Sequence, residues 1–292
     1  MGLLFGTRPF EFVDFFSLFQ DGKLDFTKLN YIEVVNKHMS AGFKHFEING
    51  DLVHVLPGII TPEVIKVLAE IKEQNDISFS VHLPLWAIEP AAFASQIRKA
   101  SADIFIDCIN LTKPLDPVCW VIHPTGALTV EFINLNLPDF AKRVMLSQFS
   151  SYAAEVIKTI ITETEISSRK IAVENIEFPF EIMYPIIEQL DLSICFDTGH
   201  QLAGFSGKDS IMEFVNKYYN RIIELHLHDG AYPRIDHKPL GTQNLPTRDL
   251  LLKLKENEFS GPLVYELNFD EILQSMDFVR KNIPEVLKEN SG

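Results

Sequence analysis

The sequence predicts one closed (β/α)8 barrel, and three features of the chain carry that prediction. Short apolar runs recur along it, each followed by a longer segment of helical periodicity, and eight such units can be counted. Six of the eight runs end in, or just before, a histidine or an acidic residue. No stretch rich in Gly, Pro or Ser divides the 292 residues, so 1–292 reads as one barrel domain. Strict alternation of strand and helix favours a parallel sheet, and eight repeats match a closed barrel better than an open doubly wound sheet. An open sheet would usually place a glycine-rich phosphate loop after its first strand, and GTRPFEF is not one.

The candidate strands are LLFGT (3–7), FKHFEIN (43–49), FSVHLP (79–84), VCWVIHP (118–124), KIAVENI (170–176), LSICFDT (192–198), IIELHLH (222–228) and PLVYELN (262–268). Helices are predicted near 28–42, 62–75, 89–112, 138–163, 179–189, 208–219, 246–256 and 270–289. Thr61 before Pro62 places a capping residue ahead of a proline at the first helical position, and Leu137, Pro138 and Asp139 introduce the fourth helix in a similar way. The long mixed segment 229–245 reads as a working loop at the barrel mouth.

Composition narrows the function classes. At 46% hydrophobic and 23% charged the chain is an ordinary globular sequence with material for a sizeable core. Its net charge of -14, from 26 basic against 40 acidic residues, repels polyanions, and no dense run of Lys and Arg offsets it. Nucleic-acid binding is therefore disfavoured, although a metal cluster would add local positive charge. Cys108, Cys119 and Cys195 are too few and scattered for a disulfide framework, which fits a reducing cytoplasm. The segment MGLLFGTRPFEF lacks the form of a secretory signal, and no run reaches about 18 apolar residues, so no membrane span is expected.

The strand ends carry the chemistry. His82 follows FSV, His123 follows WVI, Glu174 follows IAV, Asp197 follows ICF, His226 follows IIEL and Glu266 follows LVY. In a barrel these ends converge on one cavity. A lone histidine there is more often a hydrogen-bonded structural residue, and a lone carboxylate often caps a helix. Recurrence changes that balance, because Glu174, Asp197 and Glu266 gathered in one cavity need cations to stay ionised. No comparable set of Lys or Arg stands at these ends, so a bound divalent ion is expected, with Mn²⁺, Mg²⁺, Co²⁺ or Zn²⁺ suiting carboxylate and imidazole ligands.

Further groups extend the site. Asp197 and His200 lie three apart across the turn leaving the sixth strand. His226 and His228 share a face by the period of two, and His228 reads equally well as a ligand, a substrate contact or a solvent-facing residue. Asp236 and His237 sit in the 229–245 loop, where a polar surface turn is the plain alternative. Glu47 and Asn49, ending the second strand, are weak candidates for substrate contact.

Taken in order, VHLP, VIHPTG, AVENIE, CFDTGHQLAG, LHLHD, DHKPLG and YEL resemble the xylose-isomerase-like barrel superfamily, across residues 79–267. That superfamily holds sugar and sugar-phosphate isomerases and epimerases together with the endonuclease IV type of nuclease, AP endonuclease family 2. The resemblance implies a metal-dependent isomerase or epimerase acting on a small polyhydroxylated substrate. One divalent ion would be held by Glu174, Asp197, His226 and Glu266. Glu174 and Glu266 would also move protons, while His200, with His237, would orient substrate hydroxyls.

The nuclease branch uses three zinc ions, and His82, His123, His200 and His237 stand at its additional ligand positions. Two departures are visible: Asp236 is directly adjacent to His237 where the nuclease separates them by two, and Gly241 is followed by Thr242 and Gln243 where a glycine pair is usual. A multi-zinc phosphodiesterase or other hydrolase, including a corrinoid-salvage amidohydrolase branch that shares a similar VHLP segment, is therefore the second reading. A barrel reduced to a binding protein is the third, and it would typically have lost a carboxylate ligand, whereas all are present. Homo-oligomers are common among such barrels, and the oligomeric state stays open.

Overall fold

The computed structural model describes residues 2–10 and 29–287, together with the backbone of 19–20 and 23–24. Eight parallel strands close into a barrel: β1 (Leu4–Thr7), β2 (His45–Asn49), β3 (Ser78–His82), β4 (Trp120–Ile122), β5 (Ile171–Glu174), β6 (Ser193–Asp197), β7 (Ile222–His226) and β8 (Pro262–Tyr265). Closure is made by β1, which aligns Leu4 with Pro262 of β8 on one side and Gly6 with His45 of β2 on the other. A helix covers each step: α1 (Tyr31–Ser40), α2 (Pro62–Asn75), α3 (Ser95–Thr112), α4 (Asp139–Thr164), α5 (Phe180–Gln189), α6 (Ile211–Tyr218), α7 (Thr247–Glu256) and α8 (Phe269–Asn282). None of the described helices is long and apolar enough to cross a membrane.

Local chemistry explains most of these boundaries. Thr61 caps α2 by accepting from the Val64 amide at 3.3 Å, with Pro62 in the first turn as the sequence predicts. Capping boxes start α6 (Ser210 with Glu213) and α8 (Asn268 with Glu271). Two helices differ from prediction. Residues 89–94 form turns rather than the start of α3, because Pro90 interrupts the segment and the Arg98 guanidinium draws in the carbonyls of Ala92 and Phe93, each at 2.9 Å. α8 stops at Asn282, not 289, because Pro284 has no amide to continue the ladder and opens a 3-10 turn, Pro284–Val286.

Strands buried on both faces read as continuous apolar runs, and β2 and β6 are accordingly buried at all five of their positions. The main core lies between sheet and helices, while Cys119, Val121, Ala172 and Cys195 pack apart from it in a small cluster inside the barrel. Polar side chains share this interior. His45 Nε2 donates to Ser80 Oγ at 2.9 Å, and that hydroxyl donates to Glu224 Oε1 at 3.0 Å. Burial lowers the His45 pKa to about 3 and raises Glu224 to about 8, so both groups are neutral at pH 7.

A pH effect on stability follows from the base of α1. His38 is buried with Nδ1 2.9 Å from Thr7 Oγ1 and its ring edge against Phe269, and burial, with Lys37 beside it, lowers its pKa to about 4. An unfolded histidine takes its proton near 6.5, so His38 supports the fold above that pH and this support is lost as the pH falls toward 4. His38→Gln is expected to flatten the loss of stability between pH 6.5 and 4 by up to about 3 kcal/mol. Guanidinium melts of both proteins across that range check this, and equal slopes would refute it.

Candidate metal centre

Glu174 closes β5, Asp197 closes β6, His226 closes β7 and Glu266 follows β8, so the parallel register carries all four to one rim. His82 ends β3 and His123 follows β4 on the same rim. All but His123 are buried.

His226 shows how the rim is built. Its Nε2–H donates to Glu47 Oε2 at 3.1 Å, which leaves Nδ1 as a lone pair in the neutral ring. That nitrogen lies 3.2 Å from Glu266 Oε1, 3.6 Å from Glu174 Oε1 and 3.8 Å from Asp197 Oδ2, with no hydrogen-bond partner of its own. A lone pair facing three carboxylates is repulsive until a proton or a metal ion stands between them. Burial by itself would lower the His226 pKa, yet the carboxylates of Glu266, Glu47 and Glu174 around it hold the pKa well above its ordinary value.

The same geometry recurs at Glu174. His82 donates Nδ1–H to the Leu83 carbonyl at 2.9 Å and turns Nε2 toward Glu174 Oε2 at 3.2 Å. His123 Nε2 reaches that oxygen at 3.0 Å. The other oxygen, Oε1, has His200 Nδ1 at 3.1 Å besides His226. Both oxygens of Glu174 are thus enclosed by imidazoles, which hold its carboxyl well below the usual range against the effect of burial.

A third group forms above the rim. His200 Nε2 and His237 Nδ1 lie 3.8 Å and 3.2 Å from Asp236 Oδ2, and one donor atom from each of the three residues falls within 4.8 Å of the others. Adjacency in sequence does not separate Asp236 from His237. His237 takes a left-handed backbone (φ 47°) inside an antiparallel ribbon, Asp229–Ala231 with Ile235–Lys238, and the two side chains keep 40% and 26% exposure for His237 and Asp236.

His228 is buried, which removes its solvent-facing reading. Its Nδ1 accepts from the His237 amide at 2.9 Å and its Nε2–H donates to Asp197 Oδ2 at 2.8 Å, so both ring nitrogens are engaged and the ring aims Asp197. Gly199 makes room for it, since a Cβ there would stand 2.1 Å from the ring. The donors fit a divalent ion of borderline character: imidazole and carboxylate face the orphaned His226 Nδ1, while burial keeps the Cys119 and Cys195 thiols protonated.

The family model for the xylose isomerase-like TIM barrel matches residues 36–282. The chain belongs to that family. An uncharacterised protein of Methanocaldococcus jannaschii, MJ1311, is 26% identical over 269 residues, spanning 87% of this chain and 85% of its own. Among solved structures, a D-tagatose 3-epimerase-like protein aligns with a TM-score of 0.70 at 22% identity over 98% of both chains. Endonuclease IV of Thermus thermophilus aligns with a TM-score of 0.68 at 16% identity, over 98% of this chain and 100% of the other. These structural likenesses establish the shared barrel.

Within this xylose isomerase-like barrel, Arg8 and Asp229 go beyond the sequence reading, and Glu47 and Asn49 take contacts it did not assign. Arg8, just after β1, places Nη1 on Glu266 Oε1, so a strand-end cation is present after all. Glu47 contacts His226 rather than open space, and Asn49 accepts from the Asp51 amide at 3.0 Å. Asp229 accepts from the amides of Gly230, Thr242, Gln243 and Leu245 at 2.7–3.1 Å and so ties down the loop that carries Asp236 and His237. Position at a strand end was the available signal for Arg8 and Glu47. Nothing in the local sequence marks Asp229 as a loop anchor.

Proposed function

We propose that this barrel is a metal-dependent hydrolase using more than one divalent ion to cleave a phosphoester of a small organic molecule. The observation that carries the reading is Glu174. A glutamate that takes a proton from carbon and returns it needs one oxygen facing the substrate. Here Oε2 is held between His82 and His123 and Oε1 beside His226 and His200, so neither oxygen is left open to a substrate, and Glu174 would serve instead as a ligand shared with those imidazoles.

Charge points the same way. Glu174, Asp197, Asp236 and Glu266 gather at the rim against the single guanidinium of Arg8 among the described residues. One dication leaves such a set negative, a field for a neutral polyol. Three leave it positive, a field for a phosphate. The acidic chain as a whole, at -14, disfavours a long polyanion, so a small organophosphate fits better than a nucleic acid.

In this reading Glu174, Asp197, His226 and Glu266 would hold one ion, His82 and His123 with Glu174 would hold a second, and His200, Asp236 and His237 would hold a third. Bound divalent ions supply Lewis-acid polarisation of a phosphoryl oxygen and a water nucleophile active at neutral pH. Around them Glu47 fixes the His226 tautomer, His228 orients Asp197, and Arg8 holds Glu266 by a charged hydrogen bond. The isomerase or epimerase reading remains second, supported by the four-residue set and by Glu174 and Glu266 on one rim.

Loading with Zn²⁺ or Mn²⁺ and counting ions by mass spectrometry tests the choice. Two or three ions per chain, with hydrolysis of bis(4-nitrophenyl) phosphate above the protein-free rate, is the expected result. A single ion, with solvent deuterium entering a ketohexose, would overturn it.

Glu47 gives a separate prediction. Glu47→Leu leaves His226 free to rotate and is expected to weaken the first ion's affinity by about 10 to 100-fold, read by competition with a chromophoric chelator. Because Glu47→Leu strands the buried His226 Nε2–H without its acceptor, the metal-free variant should melt lower as well, and the affinity comparison is made on protein shown folded by circular dichroism. Unchanged affinity would remove the positioning role.

A further inference from the structure

A cleft of about 400 Å³ opens directly off the metal centre, and its lining includes both His123 and His200. Its other walls are largely apolar: Leu85 and Trp86 after β3, Val130 on the short helix Ala127–Asn134, Ile176 after β5, and Phe205 after the turn Thr198–Ala203. Trp86, at 41% exposure, and Phe205 give it aromatic surface beside two imidazoles.

The walls are fixed in place. Asp51 Oδ1 accepts from the amides of Leu85 and Trp86 at 3.1 and 3.0 Å, and Glu89 Oε1 accepts from the Leu128 amide at 3.0 Å. Gly126 lies so close to the chain before it that a Cβ would stand 2.3 Å from the Ile88 carbonyl oxygen. Phe205 has the His200 ring 5.6 Å away and the Arg234 guanidinium 5.0 Å from its centroid. Arg234 in turn binds Glu177, the one carboxylate on the wall.

Two polar atoms in this lining lack a hydrogen-bond partner, and one of them, His200 Nδ1, already faces Glu174 Oε1 at 3.1 Å, which leaves the other to the cleft. Thr125 is 2% exposed and its Oγ1 has no hydrogen-bond partner. A buried hydroxyl without a partner costs free energy that a ligand atom can recover. A polyol would need several such partners, and this wall offers few. A flat ring system with a single hydrogen-bonding atom matches it in shape, polarity and size.

We propose that this cleft is the subsite for a planar aromatic or heteroaromatic substituent of the substrate, stacked against Trp86 and Phe205 and hydrogen-bonded to Thr125, with the reacting group reaching past His123 and His200 to the metal centre. The substrate class is thereby an aryl or heterocyclic phosphoester, an assignment that rests on the phosphoester reading above, whereas the aromatic subsite stands on the cleft alone.

Calorimetric titration of the zinc-loaded protein tests the subsite, with indole as the planar probe and cyclohexanol as an apolar probe that is not flat. Indole is expected to bind saturably, one per chain and well ahead of cyclohexanol, with Trp86→Ala and Phe205→Ala each weakening it about tenfold and Thr125→Val by a smaller factor. Trp86 and Phe205 line an open cleft, so at least one variant should fold, and circular dichroism identifies which. Indole binding that is absent, or untouched in every folded variant, overturns the subsite. The substrate class is read separately, by comparing methyl 4-nitrophenyl phosphate with dimethyl phosphate. A lower KM for the aryl ester, raised in Trp86→Ala with kcat kept, supports it. Saturable indole binding with neither ester cleaved sinks the phosphoester reading and leaves the subsite standing. Equal cleavage of both esters without indole binding does the reverse.

Discussion

Glu174→Gln should lose turnover by at least about 10³-fold and bind fewer ions per chain, while keeping its fold. The substitution preserves shape and removes one charge, so its effect isolates what the carboxylate does. An amide can present its oxygen either to the His82 and His123 side or to the His226 and His200 side, and its NH₂ then faces the remaining pair. Whichever way it turns, one pair of imidazoles would lose a carboxylate oxygen as a fellow ligand. A 10³-fold loss corresponds to about 4 kcal/mol of transition-state stabilisation, within what charge stabilisation by bound ions supplies. Glu155→Gln, a surface carboxylate paired with Arg98 on the outside of the barrel, is the matched control and should be near neutral. Full activity in Glu174→Gln, with an undiminished ion count, would dismantle the site as drawn.

The second large effect is on stability. Stripping the protein with a chelator should lower its melting temperature by on the order of 10 °C, and readdition of Zn²⁺ or Mn²⁺ should restore it. The rim brings Glu174, Asp197 and Glu266 oxygens to within 3.8 Å of the one His226 nitrogen, and all three carboxylates are buried, so a divalent ion would find ligands gathered in the folded chain that the unfolded chain does not offer. An ion present at 1,000 times its dissociation constant contributes about 4 kcal/mol, and each kcal/mol is worth roughly 2–4 °C for a chain of this size. Differential scanning calorimetry at matched pH and ionic strength measures this. A melting temperature indifferent to chelator and metal would mean that protons satisfy the rim.

Much of this site was readable because a parallel barrel converts linear order into proximity. Glu174, Asp197, His226 and Glu266 are up to 92 residues apart, yet each ends an apolar run, and eight such runs in register place their ends on one rim. His82 and His123 were visible by the same rule. Helix limits were less so: the proline rule stops α8 at Asn282, but a helical pattern over 89–94 hid turns set by Pro90 together with the Arg98 contacts to Ala92 and Phe93.

The sequence by itself determined the barrel, its order of elements and the identity of the residues at its mouth, because burial, periodicity and capping are local properties of the chain. Only the tertiary structure decided what each of those residues does. His228 became an orienting group when both its nitrogens met partners on other elements, Glu47 became the support of His226, and Glu174 had both oxygens enclosed. A side chain's role at such a site depends on which lone pairs and protons remain free, and that follows from distances across the barrel that no local pattern encodes.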